Sequence, residues 1–473
     1  MEKLKNFIDG QFVQSHSTKE NTLISPVTDE VVGIAPISDD VDVDNAMKAA
    51  LTAFSSWKKT TPQQRFIMLM KFADALEEAG KRIAQAQNRN TGQPQPIIMR
   101  EEVAVGCDQL RFFAGAQRNM SGVASGEYME GYTSTIRREP LGVISQVTPW
   151  NYPFLMLIWK IGPALATGNT VVVKPPSNSP ESTLVVAEVA SKVLPKGVFN
   201  VLLGNYETGN SMNTHPIPAM CAITGSVRAG IEVASHAAKD VKKAHLELGG
   251  KAPVIVFDDV NVAAAAEGIA GAGFFNSGQD CTAACRVIAH ESIAKQLTAE
   301  LVKQARALKV GADDDCDMGP LNNVSHFKGV KKFIDDLPEH ITIECGGKPI
   351  DGPGCFFEPT ILSGCRQNDD VIQQEIFGPV ITVQTFTTRD EALEMANDVE
   401  FALASSVWTK DLCTAEFFQR ELDFGCVWVN VHVPLVAEMP HGGFKHSGYG
   451  KDLSIYGLED YTRIKHVMVA HEA

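Results

Sequence analysis

One cysteine stands in a loop that is suited to present it for chemistry. Residues 275–282 read FNSGQDCT, so a glycine and polar residues surround Cys281. Free cysteine is among the most buried residue types, and any of the ten cysteines can equally be a small core side chain. A nucleophilic thiolate instead needs hydrogen-bond donors and a base beside it. Whether Cys281 is reactive therefore depends on what the rest of the chain places around it.

The composition indicates a globular protein with little affinity for polyanions. Of the 473 residues, 44% are hydrophobic and 21% are charged, which allows a sizeable core. The formal net charge of −15 argues against nucleic-acid binding as the main task. Only Cys281 and Cys285 are close in sequence, and their spacing matches neither a paired metal-ligand pattern nor a disulfide framework. We expect no metal and no nucleic-acid partner.

No segment suggests export or a membrane span. Residues 1–7 contain no long apolar run of the kind found in secretory signals. The longest apolar runs, such as residues 154–159, are interrupted well short of the length that a span requires. We therefore expect a cytoplasmic protein with reduced thiols and no membrane partner.

The elements that would carry the loop follow two patterns. Residues 6–10 resemble a hairpin, apolar residues over 44–88 recur at helical spacing with a second start at Thr61-Pro62, and residues 100–117 predict an amphipathic helix. From Gly142 onward, strands and helices alternate, and a second alternation begins at residues 253–257. Two such series predict an α/β fold with two Rossmann-type, mostly parallel sheets.

Residues 132–140 form a separate signal. They alternate like an exposed strand, end in proline and have no evident helix to pack against. Such a strand needs a partner, either another subunit or a neighbouring strand in a surface hairpin. The tail, residues 458–469, also has a strand pattern.

Two strand ends carry groups that suit a dinucleotide. Residues 222–230 predict a strand, a glycine turn at Gly225 and a helix capped by Ser226, whose free backbone N–H groups could receive a pyrophosphate. The turn lacks the G-x-G-x-x-G fingerprint, and an ordinary strand-to-helix turn would look the same. Lys174, at the end of another predicted strand, could reach a ribose hydroxyl.

Five motifs, in order, resemble those of the aldehyde dehydrogenase superfamily over nearly the whole chain. They are TPWNYP at 148–153, ELGGK at 247–251, GQDC at 278–281, EIFGP at 375–379 and GGFKHSG at 442–448. The resemblance implies a nucleotide-binding domain from residues 1–120 and 142–247, and a catalytic domain from residues 248–440. It also implies a small β oligomerisation arm from residues 121–141 together with the C-terminal strand in 441–473, and a homodimer or homotetramer.

The resemblance further implies three catalytic residues. Cys281 would attack the aldehyde, and the Asn151 side-chain amide with the Cys281 backbone N–H would stabilise the oxyanion. Glu247 would activate the water that hydrolyses the thioester. Because coenzyme-A-acylating relatives typically lack this base, its presence favours a free carboxylic acid as the product. A non-catalytic relative of this fold would be expected to have lost one of these residues, and all three are present.

The expected cofactor is NAD. By resemblance Glu375 would hold the nicotinamide ribose and Phe377 would pack on the ring, and the full set of expected cofactor residues is Thr148, Pro149, Trp150, Lys174, Ser177, Gly209, Gly225, Ser226, Gly230, Leu248, Glu375 and Phe377. NAD-preferring members often have a glutamate where this chain has Ser177, after Lys174-Pro175-Pro176. Without that carboxylate a 2′-phosphate is not repelled, so we predict that NADP is tolerated.

Within the superfamily the chain most resembles bacterial 4-aminobutyraldehyde dehydrogenases, and next betaine-aldehyde dehydrogenases, in stretches such as TAACR at 282–286 and EMPHGG at 438–443. The predicted substrate is therefore 4-aminobutanal, in putrescine or polyamine breakdown. Betaine aldehyde or succinate semialdehyde is the alternative, although no arginine was found for an anionic tail.

A cationic aldehyde should meet carboxylates and aromatic faces. Glu101 and Asp108 lie seven residues apart on one predicted helix, either facing the substrate or forming a solvated face. The expected substrate residues are Asp108, Tyr152, Trp159, Phe275, Leu435 and Glu438.

Overall fold

The structure, a computed structural model, describes residues 3–120 and 124–472. The strands are β1 (Asn6–Ile8), β2 (Gln11–Val13), β3 (Glu20–Ile24), β4 (Val31–Pro36), β5 (Ser125–Met129), β6 (Tyr132–Pro140), β7 (Val143–Val147), β8 (Thr170–Lys174), β9 (Phe199–Val201), β10 (Met220–Thr224), β11 (Lys243–Glu247), β12 (Pro253–Val256), β13 (Arg286–His290), β14 (Thr342–Cys345), β15 (Thr360–Ser363), β16 (Val380–Phe386), β17 (Phe401–Ala402), β18 (Ala404–Trp408), β19 (Cys426–Val429), β20 (Phe444–Lys445), β21 (Gly448–Tyr449) and β22 (Thr462–Ala470).

The α-helices are α1 (Asp40–Trp57), α2 (Pro62–Glu78), α3 (Gly80–Thr91), α4 (Gln95–Ile97), α5 (Val105–Ala116), α6 (Pro153–Ala166), α7 (Glu181–Val193), α8 (Tyr206–Thr214), α9 (Val227–Lys239), α10 (Val262–Phe274), α11 (Glu291–Ala307), α12 (Val324–Asp335), α13 (Asp370–Gln373), α14 (Arg389–Asn397), α15 (Leu412–Glu421) and α16 (Ser454–Asp460). A π-helical segment, Ile98–Ala104, joins α4 to α5, and short 3₁₀ turns occupy Gln117–Asn119 and Phe275–Gly278.

Two large sheets confirm the predicted α/β architecture. The first has the order β2-β1-β9-β8-β7-β10-β11-β21, and its central strands β9, β8, β7, β10 and β11 are parallel. The second has the order β14-β15-β16-β13-β12-β18-β19 and is parallel except at β14. Buried runs such as Val171–Val173 suit strands that are covered on both faces.

The predicted exposed strand has a partner within the chain. β6 pairs with β22 along its whole length, from Thr462 opposite Pro140 to Ala470 opposite Tyr132, and with β5 on its other side. Residues 121–123 of the expected arm lie outside the described residues. The C-terminal segment also contributes elsewhere, because β21 pairs with β11 in the first sheet and β20 pairs with β17.

The helical predictions hold with one change of geometry. The hairpin β1–β2 forms, and α2 begins at Pro62 with Thr61 as its N-cap. The helix predicted over 100–117 is continuous with the π-helical segment, whose wider turn alters which residues share a face. Within residues 3–120 and 124–472, no helix has both the length and the apolar character needed to cross a membrane.

Candidate active site

A tightly bonded loop carries Cys281. Asn276, Ser277 and Gly278 have φ values of 48°, 60° and 66°, and a Cβ on Gly278 would lie 2.0 Å from the Gly378 carbonyl oxygen. The Gln279 side chain donates to the Asn276 carbonyl at 2.9 Å and accepts from the Asn322 N–H at 2.8 Å. Such a strained turn persists because these contacts hold it, and it fixes the position of the next residues.

The thiol of Cys281 is half-buried on the wall of a cavity and is not readily ionised. Burial first, and then the nearby Asp280, Glu375 and Glu247 carboxylates, raise its pKa well above the usual value. Without a bound substrate or cofactor, the site therefore favours the thiol of Cys281 over its thiolate at neutral pH.

Asn151 lies just before α6 and packs on the same loop. Its side-chain amide donates to the Gln279 carbonyl at 3.0 Å, and its own carbonyl accepts from the Asn276 side chain at 2.9 Å. An amide NH₂ has two hydrogens, so one remains for a group in the cavity. The loop and Asn151 thus hold one another in place.

Glu247 ends β11 and projects into the cavity as an unpaired carboxylate. Its Oε1 is buried and has no hydrogen-bond partner among the described residues, and its Oε2 lies 4.0 Å from Nε2 of His441. Burial lowers the pKa of His441 to about 4, so this histidine is neutral. Burial, reinforced by Asp452, raises the pKa of Glu247 well above its usual value. Gly442 leaves room, since a Cβ there would lie 2.4 Å from Oε1.

Glu375 and Phe377 line the cavity and contact residues that follow strands of the first sheet. Oε1 of Glu375 accepts from the Gly250 N–H at 2.8 Å, and a Cβ on Gly249 would lie 2.3 Å from its Oε2. Burial raises the pKa of Glu375 to about 7. The Phe377 ring meets Trp150 edge to face, with centroids 5.3 Å apart.

The carboxyl ends of β8 and β10 carry further expected cofactor residues. Ser226 caps α9, and the Thr224 hydroxyl is buried without a partner among the described residues. Lys174 is buried, donates to the Pro175 carbonyl at 3.0 Å and has its pKa lowered to about 8 by burial. A helix N-terminus, an unsatisfied hydroxyl and a lysine with no carboxylate partner among the described residues suit an anionic dinucleotide.

A cavity of about 570 Å³ connects these groups. Of the expected residues it is lined by Glu101, Pro149, Trp150, Asn151, Tyr152, Trp159, Gly225, Ser226, Glu247, Leu248, Phe275, Cys281, Glu375, Phe377 and Leu435. Thr148, Lys174, Ser177, Gly209 and Gly230 are not part of its lining. A Cβ on Gly209 would lie 3.5 Å from Cε of Lys174, and one on Gly230 would lie 2.4 Å from Leu248.

Two expected substrate carboxylates do not reach this cavity. Asp108 is exposed, while Glu101, Val105 and Gln109 line the wall. The prediction that Glu101 and Asp108 share a face assumed α-helical spacing, and the π-helical segment before α5 changes the phase so that Gln109 points inward instead. Glu438 is also exposed, on the loop between β19 and β20, and is not part of the lining.

Several lining residues were not singled out from the sequence. Gln109 accepts from Nε1 of Trp159 at 2.6 Å, and Asp280 accepts from the Tyr152 hydroxyl at 2.7 Å. The Tyr152 ring stacks on Phe275. His326, His441 and Asp452 also line the cavity. His441 lies in the EMPHGG stretch at 438–443 and Asp280 in the GQDC motif, but neither was assigned a role from the sequence.

The fold and the site define a protein with a cysteine-centred cavity between two parallel-sheet units. A family model described as "Aldehyde dehydrogenase family" matches residues 12–467. The betaine aldehyde dehydrogenase of Bacillus subtilis (strain 168) is 35% identical over 98% of this chain and 96% of its own length. The peroxisomal aminoaldehyde dehydrogenase 1 of Pisum sativum is 35% identical, with 98% and 94% covered.

Solved structures of aldehyde dehydrogenases are similar to this chain over nearly its whole length. Betaine aldehyde dehydrogenase from Staphylococcus aureus, in complex with NAD⁺, has a TM-score of 0.96 at 34% identity and covers 100% of this chain and 96% of that chain. Lactaldehyde dehydrogenase from Escherichia coli has a TM-score of 0.97 at 32% identity, with 99% of each chain covered. The chain belongs to the aldehyde dehydrogenase family, and it is an oxidoreductase that acts on aldehydes. These relatives are named for betaine aldehyde, aminoaldehydes and lactaldehyde, so the similarity leaves the particular substrate open.

Proposed function

We propose that the protein oxidises a cationic amino aldehyde, preferentially 4-aminobutanal to 4-aminobutanoate in putrescine or polyamine breakdown, with NAD as the hydride acceptor. The observation that carries this proposal is the set of carboxyl groups on the cavity wall. Among the described lining residues there are five carboxyl groups and neither lysine nor arginine; the carboxyl groups belong to Glu101, Glu247, Asp280, Glu375 and Asp452. An ammonium group finds acceptors on such a wall, whereas the carboxylate of succinate semialdehyde meets no lysine or arginine there.

In the first step, Cys281 loses its Sγ proton to water, and the Sγ then adds to the carbonyl carbon of the aldehyde while the π-electron pair moves to the carbonyl oxygen. The oxyanion that forms is stabilised by the Asn151 amide and the Cys281 backbone N–H, each contributing about 3 kcal/mol. The hydrogen bond from Asn151 to the Gln279 carbonyl supports this role, because it orients the amide against the loop that carries the thiol. Preorganised donors of this kind need no rearrangement when charge develops.

A nicotinamide cofactor held in this cavity would supply the hydride acceptor. Glu375 and Phe377 would hold its ribose and ring, Ser226 at the start of α9 would receive the pyrophosphate, and Lys174 would face the adenosine ribose. The unsatisfied Thr224 hydroxyl beside this helix supports a ligand there. The NAD⁺ complex of the Staphylococcus aureus relative also supports NAD. Because Ser177 leaves Lys174 without a neighbouring carboxylate, we expect NADP to be accepted as well.

Hydrolysis of the thioester requires an activated water, and Glu247 is our candidate for the base. Its side chain lines the cavity that Cys281 also lines, and its Oε1 has no hydrogen-bond partner among the described residues. The product is then a free carboxylic acid.

Betaine aldehyde is the second candidate. The names of the relatives favour it, and the aromatic rings of Tyr152, Trp159 and Phe275 would suit a quaternary ammonium, which cannot donate a hydrogen bond to a carboxylate. The test is a steady-state assay of the purified protein with 4-aminobutanal, betaine aldehyde, succinate semialdehyde and pentanal, each with NAD and with NADP. The highest kcat/KM is expected for 4-aminobutanal. A higher value for succinate semialdehyde or pentanal would overturn the proposed substrate class.

We further infer a cytoplasmic homodimer or homotetramer with the domain division expected from the sequence. Ten free cysteines are compatible with a reducing compartment. The sheet of β5, β6 and β22 exposes apolar side chains that another subunit could cover, including Tyr128, Met129, Ile464 and Val469.

A further inference from the structure

Asp280 is a carboxylate beside the nucleophile that makes no ion pair within the described chain. It precedes Cys281, lines the same cavity and accepts hydrogen bonds from the Tyr152 hydroxyl at 2.7 Å and from the Thr282 N–H and hydroxyl at 2.6 and 2.7 Å. These donors are neutral and fix its position without cancelling its charge. The Asp280 carboxylate is therefore anchored, and no cationic side chain among the described residues pairs with it.

Two other carboxylates on the wall differ from Asp280 in this respect. Glu101 forms an ion pair with Arg100 at 2.5 Å, and Asp452 forms one with Lys160 at 2.7 Å. Both therefore have a cation supplied by the protein. Asp280 has none, although it is the one that lies next to the reacting sulfur.

A carboxylate without a cationic partner at position 280 disfavours ionisation of Cys281 when no substrate is bound. It contributes to the raised pKa of Cys281, second only to burial. The other titratable groups around the sulfur do not offset it, since Glu247 and Glu375 act in the same direction and burial lowers the pKa of both His432 and His441 to about 4. A neutral residue at 280 would give a more easily ionised thiol, so a carboxylate there makes sense if its cation arrives with the substrate.

We propose that Asp280 couples recognition of a cationic aldehyde to activation of Cys281. The ammonium group of the substrate lies against the Asp280 carboxylate and neutralises its field. The Sγ–H bond of Cys281 then ionises more readily, its proton passing to water in the cavity and its electron pair remaining on sulfur. This inference rests on the proposed function, because it takes a cationic aldehyde as the substrate.

The dimensions allow this arrangement. With carbon–carbon bonds of about 1.5 Å, the four bonds from the aldehyde carbon to the amine nitrogen of 4-aminobutanal span ~5 Å. Asp280 and Cys281 are consecutive, so their Cα atoms are ~3.8 Å apart and both side chains open on the same cavity. One short substrate can therefore touch both groups.

The first test is Asp280→Asn, assayed with 4-aminobutanal and with pentanal, a neutral aldehyde of similar length. The amide keeps an acceptor for Thr282 and removes the charge. At pH 7, kcat/KM is expected to fall at least about tenfold for 4-aminobutanal and to stay constant or rise for pentanal. Equal losses for both aldehydes would overturn the proposal.

Glu101→Gln is the matched comparison, because Glu101 is another carboxylate on the same wall. A loss selective for 4-aminobutanal in Glu101→Gln but absent in Asp280→Asn would also overturn the proposal and make Glu101 the anchor. Thermal melting checks that each variant is folded, and Asp280→Ser, which also keeps an acceptor oxygen, replaces Asp280→Asn if that variant unfolds.

The second test needs neither cofactor nor turnover. The rate at which iodoacetamide alkylates Cys281 is followed against pH by mass spectrometry of its peptide, with saturating butylammonium or with neutral 1-butanol. In the natural protein, butylammonium is expected to lower the pH midpoint of Cys281 alkylation by about one unit, whereas 1-butanol should not shift it. In the Asp280→Asn variant, butylammonium should not shift the midpoint either.

The outcomes separate this proposal from the proposed function. Oxidation of 4-aminobutanal without a shift of the alkylation midpoint rejects the role of Asp280. A midpoint shift in a protein that does not oxidise amino aldehydes rejects the proposed substrate and leaves the coupling between Asp280 and Cys281 intact.

Discussion

Two groups of ionisable side chains lie in and behind the cavity wall and differ in whether the protein supplies partners of opposite charge. We call the first the paired cluster: Lys160, His245, Asp452 and Asp460. Lys160 and His245 are fully buried, and Asp452 contacts both, at 2.7 and 3.1 Å. We call the second the unpaired carboxylates: Glu247, Asp280 and Glu375. Hydrogen bonds from N–H and O–H groups position Asp280 and Glu375, but no Lys or Arg pairs with these three among the described residues.

The contrast is visible in the pKa values. Burial alone would raise the pKa of Asp452, but Lys160 and His245 outweigh it and hold that pKa below its usual value. Burial is not outweighed at Glu375, whose pKa rises to about 7, or at Glu247. Charges with internal partners belong to the scaffold, whereas carboxylates without them are available to a substrate, a cofactor or a proton.

The largest expected effect is at the nucleophile that the unpaired carboxylates surround. Cys281→Ala is expected to lower kcat by at least ~10⁴-fold, because the covalent route is lost. The measurement is cofactor reduction with 4-aminobutanal. Cys285→Ala is the matched control, since this cysteine is not part of the cavity lining and its variant should retain activity. Comparable losses in both variants would argue against a specific role for Cys281.

Removing the charge of Glu247 should separate the two half-reactions. In Glu247→Gln, kcat is expected to fall by ~10²–10⁴-fold while the first turnover remains fast, because only thioester hydrolysis needs the base. Rapid mixing should then show a burst of reduced cofactor, close to one per active site, followed by a slow phase. A slow first turnover would indicate that Glu247 acts earlier, and would weaken its assignment as the base for hydrolysis.

Substitutions in the paired cluster should lower the free energy of unfolding. Lys160→Met leaves Asp452 buried without its cation, and removal of one partner of such a pair costs about 3–5 kcal/mol. We expect a clear drop in the urea midpoint, with recovery in the double variant Lys160→Met/Asp452→Leu. A single variant as stable as the natural protein would show that the pairing is not structural.

The contribution of the same pair to stability should depend on pH in a defined direction. Because the pKa of Asp452 is lower in the folded state than in the unfolded chain, its contribution to stability is complete above the unfolded value of about 4 and is lost as the pH falls further. Urea midpoints measured between pH 6 and pH 3 should therefore fall more steeply for the natural protein than for Lys160→Met/Asp452→Leu. Parallel curves would contradict this linkage.

Sequence patterns singled out two of the three unpaired carboxylates, Glu247 and Glu375, and none of the paired cluster, for physical reasons. Glu247 and Glu375 lie in short local motifs at strand ends, where parallel sheets place ligands. Lys160 and Asp452 are 292 residues apart, and no local periodicity indicates that they will meet. The error at Asp108 has another origin, because hydrophobic spacing does not distinguish a π-helical segment from an α-helix.

The smallest expected effect concerns Lys174, a buried cation that lacks a carboxylate partner among the described residues. Its pKa is lowered to about 8 by burial, so it gains charge as the pH falls through that value. The ratio of kcat/KM for NADP to that for NAD should therefore be higher at pH 7 than at pH 9. Ser177→Glu should reduce the ratio about tenfold by repelling the 2′-phosphate, while the neutral Ser177→Gln should not. Equal effects of Glu and Gln would mean that size at position 177, and not charge, governs the choice of cofactor.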